Sequence, residues 1–150
     1  MSEFYLKWFT SDRQFPFFIQ YGYHDKDTDL HRHADFSELV IVLSGTATHI
    51  VNTEESFIKK GNVFVINGST PHAFKDPQDF KICNIMFQPE MLSTAGPDLR
   101  TSNGFQALFV LEPLYRHKHS YTSKLSLPIP NLEYVSFLIA GMIEEYHNKL

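Results

Sequence analysis

Short apolar runs separated by turn residues fill the sequence from Phe17 to Phe87. Each run has the length of a β-strand, and several strands at this spacing predict a sandwich or a barrel. In the run FKICNIMF, alternate residues face opposite sides of a strand, and both sides are mostly apolar. Glycines at the ends of runs predict turns or bulges: Gly45, Gly61 and Gly68. We therefore predict a mainly β fold with packing on both faces of the sheet.

The last segment, PNLEYVSFLIAGMIEEYHNKL, has the periodicity of a helix instead. Asn131, directly after Pro130, is a candidate N-cap for a helix over residues 131–148. Further apolar residues widen the stripe beyond one face: Phe137, Leu138 and Met142. Either the β domain covers all of this surface, or part of it is available to a partner subunit.

Composition narrows the classes of function. The 150 residues suffice for one domain with a sizeable core. The net charge is −4 and no basic face is visible, so this segment is expected to bind nucleic acid poorly. Cys83, the single cysteine, lies in an apolar run and is expected to be buried. Without a signal-peptide pattern or an apolar run of membrane-spanning length, we expect a cytoplasmic protein with no membrane partner.

Four potential ligands lie in two short stretches. His31 and His33 are one residue apart and therefore share a face of a strand. Glu38 has the wrong parity for a continuous strand, so it joins them only if ADFS forms a bend, and His72 follows a later turn. Three imidazoles and one carboxylate suit Zn, Ni, Fe or Mn. The same side chains could instead line a metal-free polar pocket, or close a barrel through hydrogen bonds.

Trp8, in the N-terminal stretch FYLKWF, has two interpretations. Its flat ring could stack on a ligand, or it could simply anchor a terminal strand. His49 is expected to be an ordinary core or surface histidine. No serine or cysteine lies in a nucleophile motif, so no catalytic residue is assigned.

The stretch HRHADFSELVIVLSG resembles the first motif of the cupin barrels, and GNVFVINGSTPH resembles the second. All four metal-binding positions of the cupin pattern are matched: His31, His33, Glu38 and His72. The second motif departs from the pattern, because Asn67 and Ser69 stand where cupins usually have proline and glycine.

Together with NIMF, GFQALFVLEPLYR and the final helix, these motifs resemble the N-terminal domain of arabinose-regulator (AraC) type transcription factors, especially the rhamnose-regulator branch. The resemblance implies three parts: an N-terminal arm over residues 1–16, a cupin-like double-stranded β-helix (jelly-roll barrel) over 17–128, and a dimerisation helix over 129–150. A helix-turn-helix domain that binds DNA is expected after residue 150.

The resemblance also implies a function, namely sensing of a small polar effector, such as a sugar, by a bacterial regulator that forms a homodimer through helix 131–148. The effector would bind beside the four ligand positions, with Trp8 as a possible lid, and a divalent metal is possible but not required. The alternative is a metal-dependent cupin enzyme, an isomerase or an oxygenase. The dimer helix favours the regulator, so we expect no enzymatic activity.

Overall fold

The computed structural model describes residues 1–12, 14–94 and 124–148. These residues form eight strands and one α-helix: β1 (Ser2–Phe4), β2 (Phe17–His24), β3 (His31–His33), β4 (Ser37–Val51), β5 (Glu54–Lys59), β6 (Asn62–Ile66), β7 (His72–Phe87), β8 (Leu125–Ser126) and α1 (Ile129–Asn148). Short 3₁₀ helices span Leu6–Trp8 and Pro89–Thr94. The predicted mainly β architecture with a C-terminal helix is confirmed. The motif GFQALFVLEPLYR lies outside the described residues.

The two long strands β4 and β7 form the centre of the sheet and pair antiparallel from Ser37 opposite Phe87 to Val51 opposite His72. The remaining strands add to this pair: β2 and β3 pair with β7, β5 and β6 pair with β4, β8 pairs with β6, and β1 pairs with β3. The hydrogen-bonded path from β1 to β8 is open among the described strands. Its two packed faces nevertheless give the barrel-like arrangement that the strand pattern predicted.

Strand β4 bends at Gly45, one of the three glycines predicted to form a turn or a bulge, and the observed feature is a bulge. Gly45 has φ +74°, and a Cβ there would lie 2.2 Å from the carbonyl oxygens of Gln78 and Asp79. Only glycine fits this close approach of two backbones. The register of β4 against β7 shifts on both sides of this position. As a result, even-numbered residues face the barrel interior before the bulge, and odd-numbered residues face it afterwards.

The sheet separates two apolar clusters. The barrel core consists of Val40, Val42, Ala47, Ile58, Phe64, Ile66, Phe74, Phe80 and Ile82. The helix-side core consists of Ile19, Ile41, Val63, Val65, Cys83, Ile85, Phe87, Leu132 and Ile139. Neighbouring residues of β7 therefore belong to opposite sides, which confirms that both faces of the strand are covered. Burial raises the pKa of the Cys83 thiol to about 12, because the thiolate would lose its hydration.

Helix α1 begins at Ile129, so the prediction of Asn131 as N-cap was wrong. The Leu132 N–H donates to the Pro128 carbonyl at 2.9 Å, which places the first helical hydrogen bond upstream. Pro130 is tolerated because residues of the first turn need no intrahelical N–H donor. No helix in the described ranges is long and apolar enough to span a membrane.

The N-terminal arm joins the sheet next to the predicted ligands. Strand β1 runs parallel to β3 and places Phe4 opposite His33. The Leu6 N–H donates to Asp35 Oδ1 at 2.8 Å, and the Leu6 side chain is buried against Phe36. The arm is therefore fastened both by strand pairing and by an apolar anchor.

Candidate functional site

The structure brings the four predicted ligands together at one end of the barrel interior. His31 and His33 lie on β3, and a bend at residues 34–35 separates them from β4, whose second residue is Glu38. This bend resolves the parity conflict of Glu38. His72 is the first residue of β7 and lies directly opposite His31.

The polar atoms of this cluster approach each other closely. One ring nitrogen from each of the three histidines lies within 4.8 Å of the others. Glu38 Oε2 is 3.2 Å from His33 Nε2 and 3.7 Å from His72 Nε2, and these two nitrogens are 3.3 Å apart. His33, Glu38 and His72 are buried. Only His31 is partly exposed, on the side that faces the cavity.

A cavity of about 420 Å³ opens above this cluster, which is large enough for a small metabolite. Aromatic rings form much of its wall: Phe4, Phe9, Tyr21, Tyr23 and Phe74. Gln20, Thr28 and Asn84 add groups that can form hydrogen bonds. Neither lysine nor arginine lines the cavity within the described part of the chain. This wall matches a neutral polar ligand better than an anion.

Trp8 lies away from this wall. Its side chain is 58% exposed and packs near Phe4 and Tyr5, with ring centroids 6.0 and 5.4 Å away. The arm reaches the cavity through Phe4 and Phe9 instead. A lid role for Trp8 therefore stays a prediction that requires the arm to move.

Burial sets the charge state of the cluster. It raises the pKa of Glu38 to about 7, although the hydrogen bond that Asn84 Nδ2 donates to Glu38 Oε1 opposes this shift. Burial and, to a smaller extent, the neighbouring His31 together lower the pKa of His33 to about 3. His33 is therefore a neutral imidazole at pH 7, which is the form that binds metals and accepts hydrogen bonds.

Hydrogen bonds with groups that surround the cluster hold three of its four side chains. His31 Nδ1 lies 2.9 Å from the Asp29 carbonyl, and His72 Nδ1 lies 3.1 Å from His49 Nε2. Asn84 holds Glu38. The sequence interpretation missed Asn84 and His49 as parts of the site. The available signals were the one amide in FKICNIMF and the alternation of TATHIV, in which every second residue from Ala47 is buried.

Residues 18–86 match the family model described as the cupin domain. This part of the chain is similar to cupin domains. Over 78 residues the chain is 35% identical to the HTH-type transcriptional activator RhaR of Mannheimia succiniciproducens, covering 52% of this chain and 28% of that protein. RhaR of Escherichia coli K12 is 37% identical over 62 residues, covering 41% of this chain and 22% of that protein. The matched part of the chain thus spans less than a third of the length of these activators.

Among solved structures, the chain is similar to apo ToxT K231A of Vibrio cholerae. The similarity has a TM-score of 0.56 at 10% identity and covers 83% of this chain and 47% of ToxT. At this identity the likeness shows a shared fold. The predicted resemblance to AraC-type regulators is confirmed over the cupin region by its similarity to the RhaR activators.

Cupins often hold a metal, and a divalent ion requires several nitrogen or oxygen donors that converge on one point. The donor types and close spacing of the four side chains fit Zn, Ni, Fe or Mn. A histidine ligand that binds through Nε2 carries its proton on Nδ1 and needs an acceptor there. His31 and His72 have such a partner, whereas His33 Nδ1 is buried without one. The cluster therefore fits a metal, with His33 as its least supported ligand.

Proposed function

We propose that this cupin domain senses a small polar metabolite on behalf of a bacterial AraC-type transcription regulator. One observation carries the proposal: a cavity of metabolite size ends on a buried cluster of histidines and a glutamate, in a domain related to RhaR activators. The wall offers aromatic rings and hydrogen-bonding groups without lysine or arginine in the described part. Such a wall suits a neutral ligand rich in hydroxyl groups, so we propose a sugar or a sugar derivative as the effector.

In this proposal, His31, His33, Glu38 and His72 bind the polar end of the effector. Glu38 accepts hydrogen bonds from hydroxyl groups when it is ionised, and the neutral imidazoles donate or accept. A divalent metal, where one is bound, would be held by the same four residues and would polarise an effector oxygen. We propose that Trp8 contacts the effector only when the arm folds further over the cavity.

We propose that α1 joins two copies of the chain. One face packs on the helix-side core through Leu132 and Ile139. The opposite face carries an exposed stripe at the spacing i, i+3, i+4, i+7 and i+8: Tyr134, Phe137, Leu138, Gly141 and Met142. A twofold axis would place the same stripe on both sides of one interface. DNA contact would belong to a separate domain.

An effector switches such a regulator only if it binds one conformation more tightly than another. The arm is suited to respond because β1 pairs with β3, the strand that carries His31 and His33. Phe4 also stacks on the His31 ring, with centroids 4.5 Å apart. Occupation of the cavity would therefore change the contacts that hold the arm.

Thermal unfolding of the purified chain with a panel of neutral sugars tests the proposal. A sugar present at about 100 times its dissociation constant should stabilise the protein by about 2.7 kcal/mol. His31→Gln and Glu38→Gln should abolish the shift, whereas the distant control His147→Gln on α1 should keep it. A shift that survives both site variants contradicts this binding site. Turnover of a substrate after addition of a divalent ion would support the cupin enzyme instead.

A further inference from the structure

Two amide side chains lie next to each other on the cavity wall, beside the ligand cluster. Gln20 of β2 is directly opposite Asn84 of β7, and both residues line the cavity. Because Ile19 belongs to the helix-side core, alternation along β2 turns Gln20 toward the barrel interior. Residues directly opposite each other in an antiparallel pair have Cβ atoms about 4.5–5.5 Å apart. One small ligand can therefore contact both amides.

Each amide has hydrogen-bonding capacity that the fold does not use. Asn84 Nδ2 donates to Glu38 Oε1, which fixes the orientation of this amide, and within the described ranges no donor reaches its Oδ1. The Gln20 amide forms no hydrogen bond with a described residue. Thr28 differs, because its Oγ1 already accepts the Phe74 N–H at 2.8 Å. Polar groups in a partly buried wall need a partner, and a ligand rich in hydroxyl groups would supply one.

Gly22 leaves the space that Asn84 Oδ1 occupies. It lies on β2 opposite Ile82, and it lacks the positive φ that would favour glycine for backbone reasons. A Cβ at this position would lie 2.8 Å from Asn84 Oδ1 and 3.2 Å from Ile82 Cγ1. Glycine within a strand often marks the close approach of another group. Since Gly22 also lines the cavity, its missing side chain keeps Asn84 Oδ1 at the cavity surface.

We propose that Gln20 and Asn84 form a specificity subsite that binds two neighbouring hydroxyl groups of the effector. One hydroxyl donates to Asn84 Oδ1, and the next pairs with the Gln20 amide, which can donate or accept. The inference rests on the proposed function, because it takes a neutral sugar as the effector, and it adds which part of the wall distinguishes one sugar from another. A site that hydrogen-bonds a hydroxyl rejects an analogue without it, because the polar groups of the site are then left unpaired.

Deoxy analogues test the subsite. Titration calorimetry with the neutral aldopentoses and aldohexoses identifies the sugars that bind, and their monodeoxy analogues are then titrated in the same way. In the wild type, we expect loss of either subsite hydroxyl to weaken binding by about 3- to 10-fold. In Gln20→Leu, the parent sugar should bind more weakly by a similar factor, and loss of the hydroxyl that pairs with Gln20 should have no further effect. The two losses are then non-additive at that position.

Gln78→Leu is the matched control, because Gln78 lies on an exposed part of β7 and does not line the cavity. It should keep the wild-type affinities for the parent sugar and for all its analogues. If no deoxy position is non-additive with Gln20→Leu, the subsite is contradicted, while the proposed function stands because the sugar still binds. A wild type that binds none of these sugars contradicts the proposed function, and the subsite with it.

Gly22→Ala tests the space beside Asn84. A methyl group at 2.8 Å must displace Asn84 Oδ1, so we expect the sugar to bind about 10-fold more weakly. The deoxy position that remains additive with Gln20→Leu should lose its effect in this variant. Unchanged affinity in folded Gly22→Ala contradicts the role of Asn84 Oδ1. If Gly22→Ala does not fold, the additivity measured with Gln20→Leu still decides the proposal.

Discussion

The cavity of the cupin-like β domain buries polar side chains, whereas helix α1 exposes apolar ones. In the cavity, Glu38 is 4% exposed and its neighbours His33 and His72 are each 1% exposed. On α1, Phe137 is 75% exposed and Tyr134 is 64% exposed. Each arrangement raises the free energy of an isolated folded chain, because buried polar groups lose hydration and exposed rings order water.

The two regions compensate for this cost in different ways. The buried cluster is compensated inside the chain, through the hydrogen bonds that Asn84 and His49 make to its members. The apolar stripe on α1 has no comparable covering among the described residues, and in the proposed dimer a second copy of the chain would cover it. The candidate site is therefore organised by contacts within the chain, whereas the stripe would be covered only in the proposed dimer. Three substitutions test this difference.

The largest expected effect is on assembly. Phe137→Glu places a charge in the middle of the stripe and should weaken dimerisation by more than about 100-fold, because burial of a phenylalanine contributes about 1.5–3 kcal/mol in each subunit. Sedimentation velocity over a range of protein concentrations measures the change. Ala140→Glu adds the same charge to the same helix outside the stripe and should leave the association unchanged. A wild-type chain that is monomeric at micromolar concentrations contradicts the proposed dimer.

The second effect is on the buried cluster. Asn84→Leu removes the donor to Glu38 Oε1 and should lower the free energy of unfolding by about 1–3 kcal/mol, because a buried acceptor loses its partner. Urea denaturation measures this loss. Gln20→Leu removes an amide from the strand position opposite Asn84, without a bond to Glu38, and should change stability by less than about 0.5 kcal/mol. Equal losses in the two variants would show that Asn84 does not support Glu38 specifically.

The smallest effect concerns an exposed ion pair between the arm and β3. Arg32 and Glu3 form this pair with side chains that are 43% and 37% exposed. Arg32→Ala should cost less than about 1 kcal/mol, because water and salt screen such pairs. Urea denaturation at low and high salt checks both the size and the screening. A loss of stability as large as that of Asn84→Leu would contradict the expectation that buried polar contacts of this domain stabilise it more than exposed ones.

Much of the architecture follows from local pattern. The strand-length runs predicted a mainly β fold, the periodicity after residue 128 predicted the helix, and the spacing of His31, His33 and Glu38 predicted their convergence across a bend. These features depend on backbone periodicity and on short-range geometry, which are properties of neighbouring residues. The helix start was misplaced by two residues because Pro130 was taken to precede the helix.

The sequence pattern did not reveal the residues that support the candidate ligands, such as His49. His49 and Glu38 have opposite parity on β4, so a continuous strand would point them to opposite faces. The bulge at Gly45 reverses that parity and turns His49 toward His72. Whether a glycine ends a strand or bends one depends on the backbone of β7 that lies against it.

The sequence by itself determined the strands, the helix and the chemical identity of the four candidate ligands, because periodicity and side-chain type are properties of short stretches of the chain. Only the tertiary structure decided which polar residues support those ligands and which face of α1 stays exposed. Those features depend on contacts between residues far apart in the chain, such as Asn84 with Glu38 and Leu132 with the helix-side core. Burial and hydrogen-bond direction are properties of the folded chain as a whole.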